Sequence, residues 1–398
     1  MTTRYNLLSP ELKTNPYPAY ADMRRNAPVC QVDPGGMWAV TRFDDVLFVL
    51  KNPQIFSSRG FGVATNPPWL GGNPFSDSMI TLDPPQHGRI RGLFSKAFGS
   101  AAMARMEPRV RAFAEQVVAE LPLGEPQDIM PAFALRIPAY VIGDLMGLDP
   151  SLHARFKRWA DLITGGVTTV RPEELERKQL ARDAVAELRR YFGEVIEERR
   201  REPGTDLVSD LLRAEVDGEA LTQDEIIASM ALLLVGGIET VVHLLGTSLV
   251  VLLDRPELLA RLRADRSLIP AFIEEVLRFE PPAQAAPRST TQEVELGGVK
   301  LPEGARVLAM IGSANRDEAH FQDPDQFDID RTGQKNLHFG HGAHFCLGAQ
   351  LARMEGRLAL SALLDKVGRL ERGPEPMTWH RTLVVRGPGS LPIALYPA

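Results

Sequence analysis

Cysteine is scarce in this chain. Two occur in 398 residues, Cys30 and Cys346, far apart, so no disulfide framework is expected. No charge of one sign dominates: 45 Lys plus Arg stand against 51 Asp plus Glu, a net charge of −6. Global attraction to nucleic acid or to an anionic membrane is therefore not expected. No internal repeat, low-complexity tract or Ser/Gly linker divides the chain, so one cooperative domain over residues 1–398 is the expectation. The opening Met1-Thr2-Thr3-Arg4-Tyr5-Asn6 lacks the apolar core of a signal peptide or membrane anchor, which predicts a cytoplasmic location.

Strand signals are few and short. β-Branched residues between Gly/Pro punctuation place them at about 28–41 and 292–311, with a further pair expected near 383–396. Long amphipathic or charged helical patterns fill about 104–121, 151–165, 172–202, 223–253, 267–280 and 347–368. The fold class expected is mainly α, a large helical domain with a small β-sheet lobe.

What is present in strength is a glycine-rich stretch, Phe339-Gly340-His341-Gly342-Ala343-His344-Phe345-Cys346-Leu347-Gly348, leading straight into an apolar helical pattern. A thiolate needs a lowered pKa and donors around its sulfur, and a following helix N-terminus supplies free N–H groups and a positive dipole. Glycines let the backbone approach that sulfur closely. Cys346 thus reads as an iron ligand, with an inert buried cysteine as a further reading. The set His338, His341, His344 and Cys346 also reads as a zinc cluster, although the second separated ligand pair of structural zinc sites is missing. Cys30, in Ala27-Pro28-Val29-Cys30-Gln31-Val32, reads as a small apolar packing residue.

The segment Ile226 to Leu253 is nearly all apolar and long enough to cross a membrane. Gly236-Gly237 and the ionisable Glu239 sit at its centre, where a charge in lipid is costly, so the favoured reading is a helix buried in a large core and no membrane partner. Thr222-Gln223-Asp224-Glu225 forms a capping box at its start, and Pro256 ends it. About thirty helical residues span ~45 Å, so a group at the midpoint lies deep inside.

Phe339, Gly340, Gly342, His344, Cys346 and Gly348 resemble, position for position, the haem-binding loop of the cytochrome P-450 family in its soluble bacterial form. Further motifs extend the resemblance from Asn15-Pro16-Tyr17-Pro18 to the C-terminal segment. The resemblance implies heme b (iron protoporphyrin IX) between a long central helix and the helix after the cysteine loop, with Cys346 on the iron and Phe339, Gly348, Gly236 and Gly237 close to the cofactor. Gly236-Gly237-Ile238-Glu239-Thr240 resembles the family's oxygen-activation motif, in which the two glycines leave space over a flat cofactor. Thr240 then offers a hydroxyl and Glu239 passes protons. A Thr hydroxyl bonded back to its own helix, with Glu239 ion-paired elsewhere, is the competing reading. Gly236 stands where alanine is common in the family, and Val241 replaces a frequent second threonine.

Glu275-Val276-Leu277-Arg278 matches the family's Glu-x-x-Arg motif. Its i, i+3 spacing alone describes many exposed pairs worth only about 0.2–0.5 kcal/mol, but the resemblance implies a buried structural network with Arg331 behind the haem. By the same resemblance His87, Arg91, Arg288 and His344 anchor the haem propionates. Pocket walls are expected from about 58–80 and 165–171, from Leu232 to Val235 including Leu233, from the Pro281–Pro287 segment including Ala285, and from Leu383-Val384-Val385. Most of these are apolar, which implies a largely apolar small-molecule substrate.

The implied activity is monooxygenation: one oxygen atom of O2 enters a substrate C–H bond. The chain carries no flavin or iron–sulfur segment, so electrons are expected from NAD(P)H through a separate ferredoxin and ferredoxin reductase. Arg89, Lys96, Arg353 and Arg357 could form a positive patch for an acidic partner, though solvated helix faces give the same pattern. A monomer is expected by family analogy. Two other classes stand against this reading, a peroxide-driven haem enzyme, which the Glu239-Thr240 pair opposes, and a non-catalytic haem-binding protein, which lacks an output domain here.

Overall fold

The expected helical patterns form as helices whose ends move by a turn at most: Ser100–Glu120, His153–Ile163, Leu175–Arg201, Gln223–Asp254, Ile269–Phe279 and Ala349–Lys366. They come from a computed structural model that describes residues 5–94, 98–164, 173–216 and 218–398. The chain divides into two compact units, Met1–Phe56, Ala104–Ile137 and Thr240–Ala398 against Ser57–Met103 and Pro138–Glu239.

In the first unit, Ile269–Phe279 starts with Pro270 in its first turn and buries Ile269, Phe272, Ile273, Val276 and Leu277. That three-and-four spacing makes one apolar stripe, which packs with Leu360 and Leu364 of Ala349–Lys366. A six-stranded sheet runs in the order Tyr5–Asn6, Val29–Asp33, Met37–Val40, Arg306–Ala309, Ala286–Thr290, Phe56–Ser57. Arg306–Ala309 lies parallel to Met37–Val40 and antiparallel to Ala286–Thr290, with Val307 opposite Arg288. Val29, Val40, Val307 and Ala309 from this sheet close a core with Phe43, Val46 and Val49.

The pair expected near 383–396 does form strands, but they do not pair with each other. Arg386–Ser390 pairs with Thr378–Arg381, and Pro392–Pro397 pairs with Val367–Arg372 and Gln127–Asp128. Only Leu391 separates the two strands, and a hairpin needs at least two turn residues.

In the second unit, Leu175–Arg201 buries Ala181, Val185, Leu188, Phe192 and Ile196. It meets His153–Ile163 through Glu187, which accepts from Arg155 Nε at 2.8 Å and from the Trp159 indole at 3.0 Å.

The boundary between the units falls at Glu239/Thr240 inside one continuous helix, Gln223–Asp254. Its capping box is complete: Thr222 N–H donates to Glu225 Oε2 at 2.9 Å, and Glu225 N–H donates to Thr222 Oγ1 at 3.2 Å. This helix is long and apolar enough to cross a membrane, yet 83% of its apolar window is buried in protein, so it is a core helix.

Candidate functional site

The Cys346 loop is set by backbone geometry. Gly340 and Gly342 have φ of +72° and +70°, a region that other residues enter only at a cost. A side chain at 342 would also meet the Leu50 carbonyl oxygen at 2.8 Å. Gly340 N–H donates to Leu337 O at 2.8 Å, Phe345 N–H to Gly342 O at 3.1 Å, and Cys346 N–H to Phe339 O at 2.9 Å. The chain then enters Ala349–Lys366 through Gly348, and no side chain caps that helix start. Cys346, half-buried, thus lies two residues before the positive end of an 18-residue helix, where a thiolate is stabilised. Cys30 has no such setting, and burial pushes its thiol up to about 11.

Phe339 packs against two side chains, with the Arg353 guanidinium 4.5 Å over its ring and Phe345 at 6.4 Å. Arg353 also grips Glu274 with two nitrogens. The zinc reading fails here. His338 turns toward Glu274, its Nε2 3.6 Å from Oε2, and burial pulls its pKa down to about 4, so the ring is neutral. Among the described residues His338, His341, His344 and Cys346 do not gather into a set that could hold one ion.

Behind this loop Glu275 and Arg278 are 4% and 2% exposed. Arg278 Nε and Nη2 donate to the two Glu275 oxygens at 2.8 and 2.7 Å, Nη1 donates to Asn315 O and Pro324 O, and Nη2 also donates to Gln326 O. All five guanidinium N–H groups are therefore used. Arg331 Nε lies 3.5 Å from Glu275 Oε1, and its other nitrogens donate to Gln322, Asp323 and Gln326 carbonyls. One carboxylate and two arginines thus knit the segment 315–328 to a helix.

At the midpoint of the long helix the two glycines differ. Gly236 faces open space, whereas a side chain at Gly237 would collide with Ile142. Space beside the helix is thus Gly236's contribution, and Gly237 serves close helix packing instead, a correction to the shared role expected for both. Glu239 is 5% exposed, Thr240 is half-buried, and Leu233 is buried.

The expected propionate anchors divide between the units. Arg288, on Ala286–Thr290, and His344, in the turn Gly342–His344, belong to the first unit with Cys346. His87 and Arg91, one turn apart on Gln86–Phe94, belong to the second. His87 and Arg288 are 3% and 9% exposed, unusual for solvated surface charges. Ala285 and Val384 lie side by side, since Gln284 N–H donates to Val384 O at 2.7 Å. The expected wall at 165–171 and the basic Lys96 lie outside the described residues.

The positive patch needs correction. Arg89 pairs with Glu225, Arg353 with Glu274, and Arg357 with Glu107 at 3.0 Å, so each described member already has a carboxylate beside it.

Two features escaped the sequence. His243 and His380 stack with ring centroids 5.5 Å apart at 16°, and nothing in their spacing announces it. Glu355 is 1% exposed, its Oε2 has no hydrogen-bond partner, and burial pushes its pKa well up. Its place between Leu351 and Leu358 on the apolar face was a signal that could have been read.

A family model described as Cytochrome P450 matches residues 168–386. The chain is 36% identical over 410 residues to 6-deoxyerythronolide B hydroxylase of Saccharopolyspora erythraea, covering 99% of this chain and 100% of that protein. It resembles the solved structure of cytochrome P450 CYP109Q5 from Chondromyces apiculatus with a TM-score of 0.90 and 39% identity, covering 100% of both chains. It also resembles CYP109E1 from Bacillus megaterium in complex with testosterone, with a TM-score of 0.89, 35% identity and coverage of 97% and 99%.

Proposed function

Because the chain belongs to the cytochrome P450 family, whose members bind heme b and act as monooxygenases, we propose that it hydroxylates a C–H bond of a largely apolar small molecule, with electrons from NAD(P)H through a ferredoxin and its reductase in the cytoplasm. The observation that carries this reading is Cys346 at the unblocked start of an 18-residue helix, reached through two glycines in left-handed conformation. The residues present fit the cofactor: a thiolate position at a helix N-terminus, a glycine loop whose shape admits no side chain at 342, and open space beside Gly236.

When bound, the haem supplies the oxidising chemistry, and a thiolate ligand favours O–O cleavage. The chain's own residues do the rest. Cys346 Sγ would hold the iron, and the N–H groups after Gly348 would favour its charged form. Arg288 and His344, with His87 and Arg91, would hold the propionates through charge-assisted hydrogen bonds. Thr240 Oγ1 would hold a proton that the Glu239 carboxyl resupplies. Leu233, Ala285 and Val384 offer apolar walls that exclude water. Glu275, Arg278 and Arg331 keep the cysteine loop in place.

The relatives' names support an apolar substrate: one is a 6-deoxyerythronolide B hydroxylase and another was solved with testosterone. Residues 1–398 act as one cooperative, monomeric domain in this reading, which predicts a single calorimetric transition. The catalytic assignment is tested with Thr240→Ala, a surrogate ferredoxin and its reductase. The ratio of peroxide to hydroxylated product per NADH consumed should rise, and unchanged coupling would remove Glu239 and Thr240 from proton delivery.

A further inference from the structure

His380 sits on the strand Thr378–Arg381, directly opposite Gly387 of Arg386–Ser390. A side chain at Gly387 would run into the His243 ring. The missing side chain is therefore what lets the helix-borne His243 come up against His380. The two rings stack nearly parallel, and their nearest ring nitrogens lie within 4.8 Å of one another. Glu239 stands one turn before His243 on the same continuous helix, and i, i+4 spacing puts its carboxylate on the face that carries the imidazole, within the same distance of it. Glu239 and His243 are buried, at 5% and 3% exposure, while His380 is half-buried and opens toward solvent.

We propose that Glu239, His243 and His380 form a binding site for one divalent first-row transition metal ion, with zinc as the reference ion. Two imidazoles and one carboxylate are a donor set that zinc accepts, leaving a fourth position for water. The same set disfavours calcium and magnesium, which take oxygen ligands in larger number. Zinc bonds of about 2.0–2.2 Å need donor atoms roughly 3.4 Å apart. Binding therefore requires the half-buried His380 to close on His243, and the same residue gives an ion its way in from solvent.

The site has a consequence for the reaction. An ion held by the Glu239 carboxylate takes the group that resupplies Thr240, so metal binding slows proton delivery and acts as an inhibitory input. This consequence rests on the function proposed above, whereas the binding itself does not.

The test is calorimetric titration of zinc chloride into tag-free, haem-loaded protein, beside His380→Ala and His243→Asn, with haem content checked by absorption. One equivalent should bind to the wild type, and each variant should weaken binding by at least about tenfold. Absence of stoichiometric binding, or equal affinity in both haem-loaded variants, overturns the site and assigns the zinc to other histidines. In a second arm, zinc should raise the peroxide-to-product ratio of the wild type and leave His380→Ala unaffected. Zinc bound at the wild-type site with unchanged coupling would overturn the inhibitory consequence and count against Glu239 as proton carrier, while the metal site stands.

Discussion

Two irregular segments of this protein share left-handed glycines and main-chain bonds but differ in what their side chains add. Residues 339–348 are fixed by main chain: two left-handed glycines and bonds from Gly340, Phe345 and Cys346 N–H groups to nearby carbonyls. Residues 58–80 have left-handed glycines too, Gly71 and Gly72, and main-chain bonds such as Ser76 N–H to Asn73 O at 2.9 Å, but to these they add a mesh of buried side-chain bonds. Asn73, fully buried, donates to the Thr65 and Ile163 carbonyls at 2.9 and 2.8 Å, Thr65 Oγ1 meets Ser76 Oγ at 2.8 Å, and Ser78 and Thr81 hydroxyls donate to the Phe75 and Ser76 carbonyls. A main-chain lattice tolerates no change of shape, while a side-chain mesh can be rewritten one residue at a time. The first suits chemistry shared by a family, and the second suits a wall that changes with the substrate.

The comparison breaks most visibly if the support of the cysteine loop is removed. Arg278→Ala deprives buried Glu275 of its bidentate partner, leaving only Arg331 and the Asp328 N–H, and should cost about 3 kcal/mol, read as a lower denaturation midpoint with loss of haem. Gly342→Ala adds a strained φ and a clash with the Leu50 carbonyl, and should cost at least about 2 kcal/mol together with haem loading. Asn73→Ala removes both of its donated bonds and should cost about 1–3 kcal/mol, yet the haem spectrum should survive and only ligand-induced spectral shifts should change. If Asn73→Ala strips haem as Gly342→Ala does, the contrast between the two segments is wrong.

A smaller effect is set by His338. Its pKa is near 6.5 when unfolded and about 4 in the folded protein, so added acid protonates the unfolded chain first. Stability should be greatest above about pH 6.5 and fall between there and about pH 4, by up to about 3 kcal/mol. His338→Leu should flatten that part of the pH–stability curve. Smallest of all, Val63→Ser at the exposed edge of the 58–80 segment should move the denaturation midpoint within the noise of surface substitutions, about 0.5 kcal/mol, and act only on substrate affinity.

Much of this was legible in the sequence because local rules decide it. The capping box at Thr222 and the apolar period up to Asp254 place the long helix to within a residue, and the Phe339–Gly348 pattern marks the cysteine loop. What the sequence hid is tertiary. Gly236 and Gly237 look alike until Ile142 arrives beside one of them. His243 and His380 meet only because a strand pair sets Gly387 under a helix. The strands near 383–396 each pair elsewhere, since short strands take their partners from distant segments. The basic residues proposed as a docking patch could not show, from their own positions, the carboxylates that face them.

The central claim is that Cys346 binds haem iron as a thiolate. It is tested most directly by the absorption spectrum of the dithionite-reduced, carbon monoxide-bound protein, for the wild type and for Cys346→His. The account predicts a strongly red-shifted Soret band in the wild type that is lost in the variant. A wild-type band typical of histidine-ligated haem, or purified protein that takes up no haem, would contradict it.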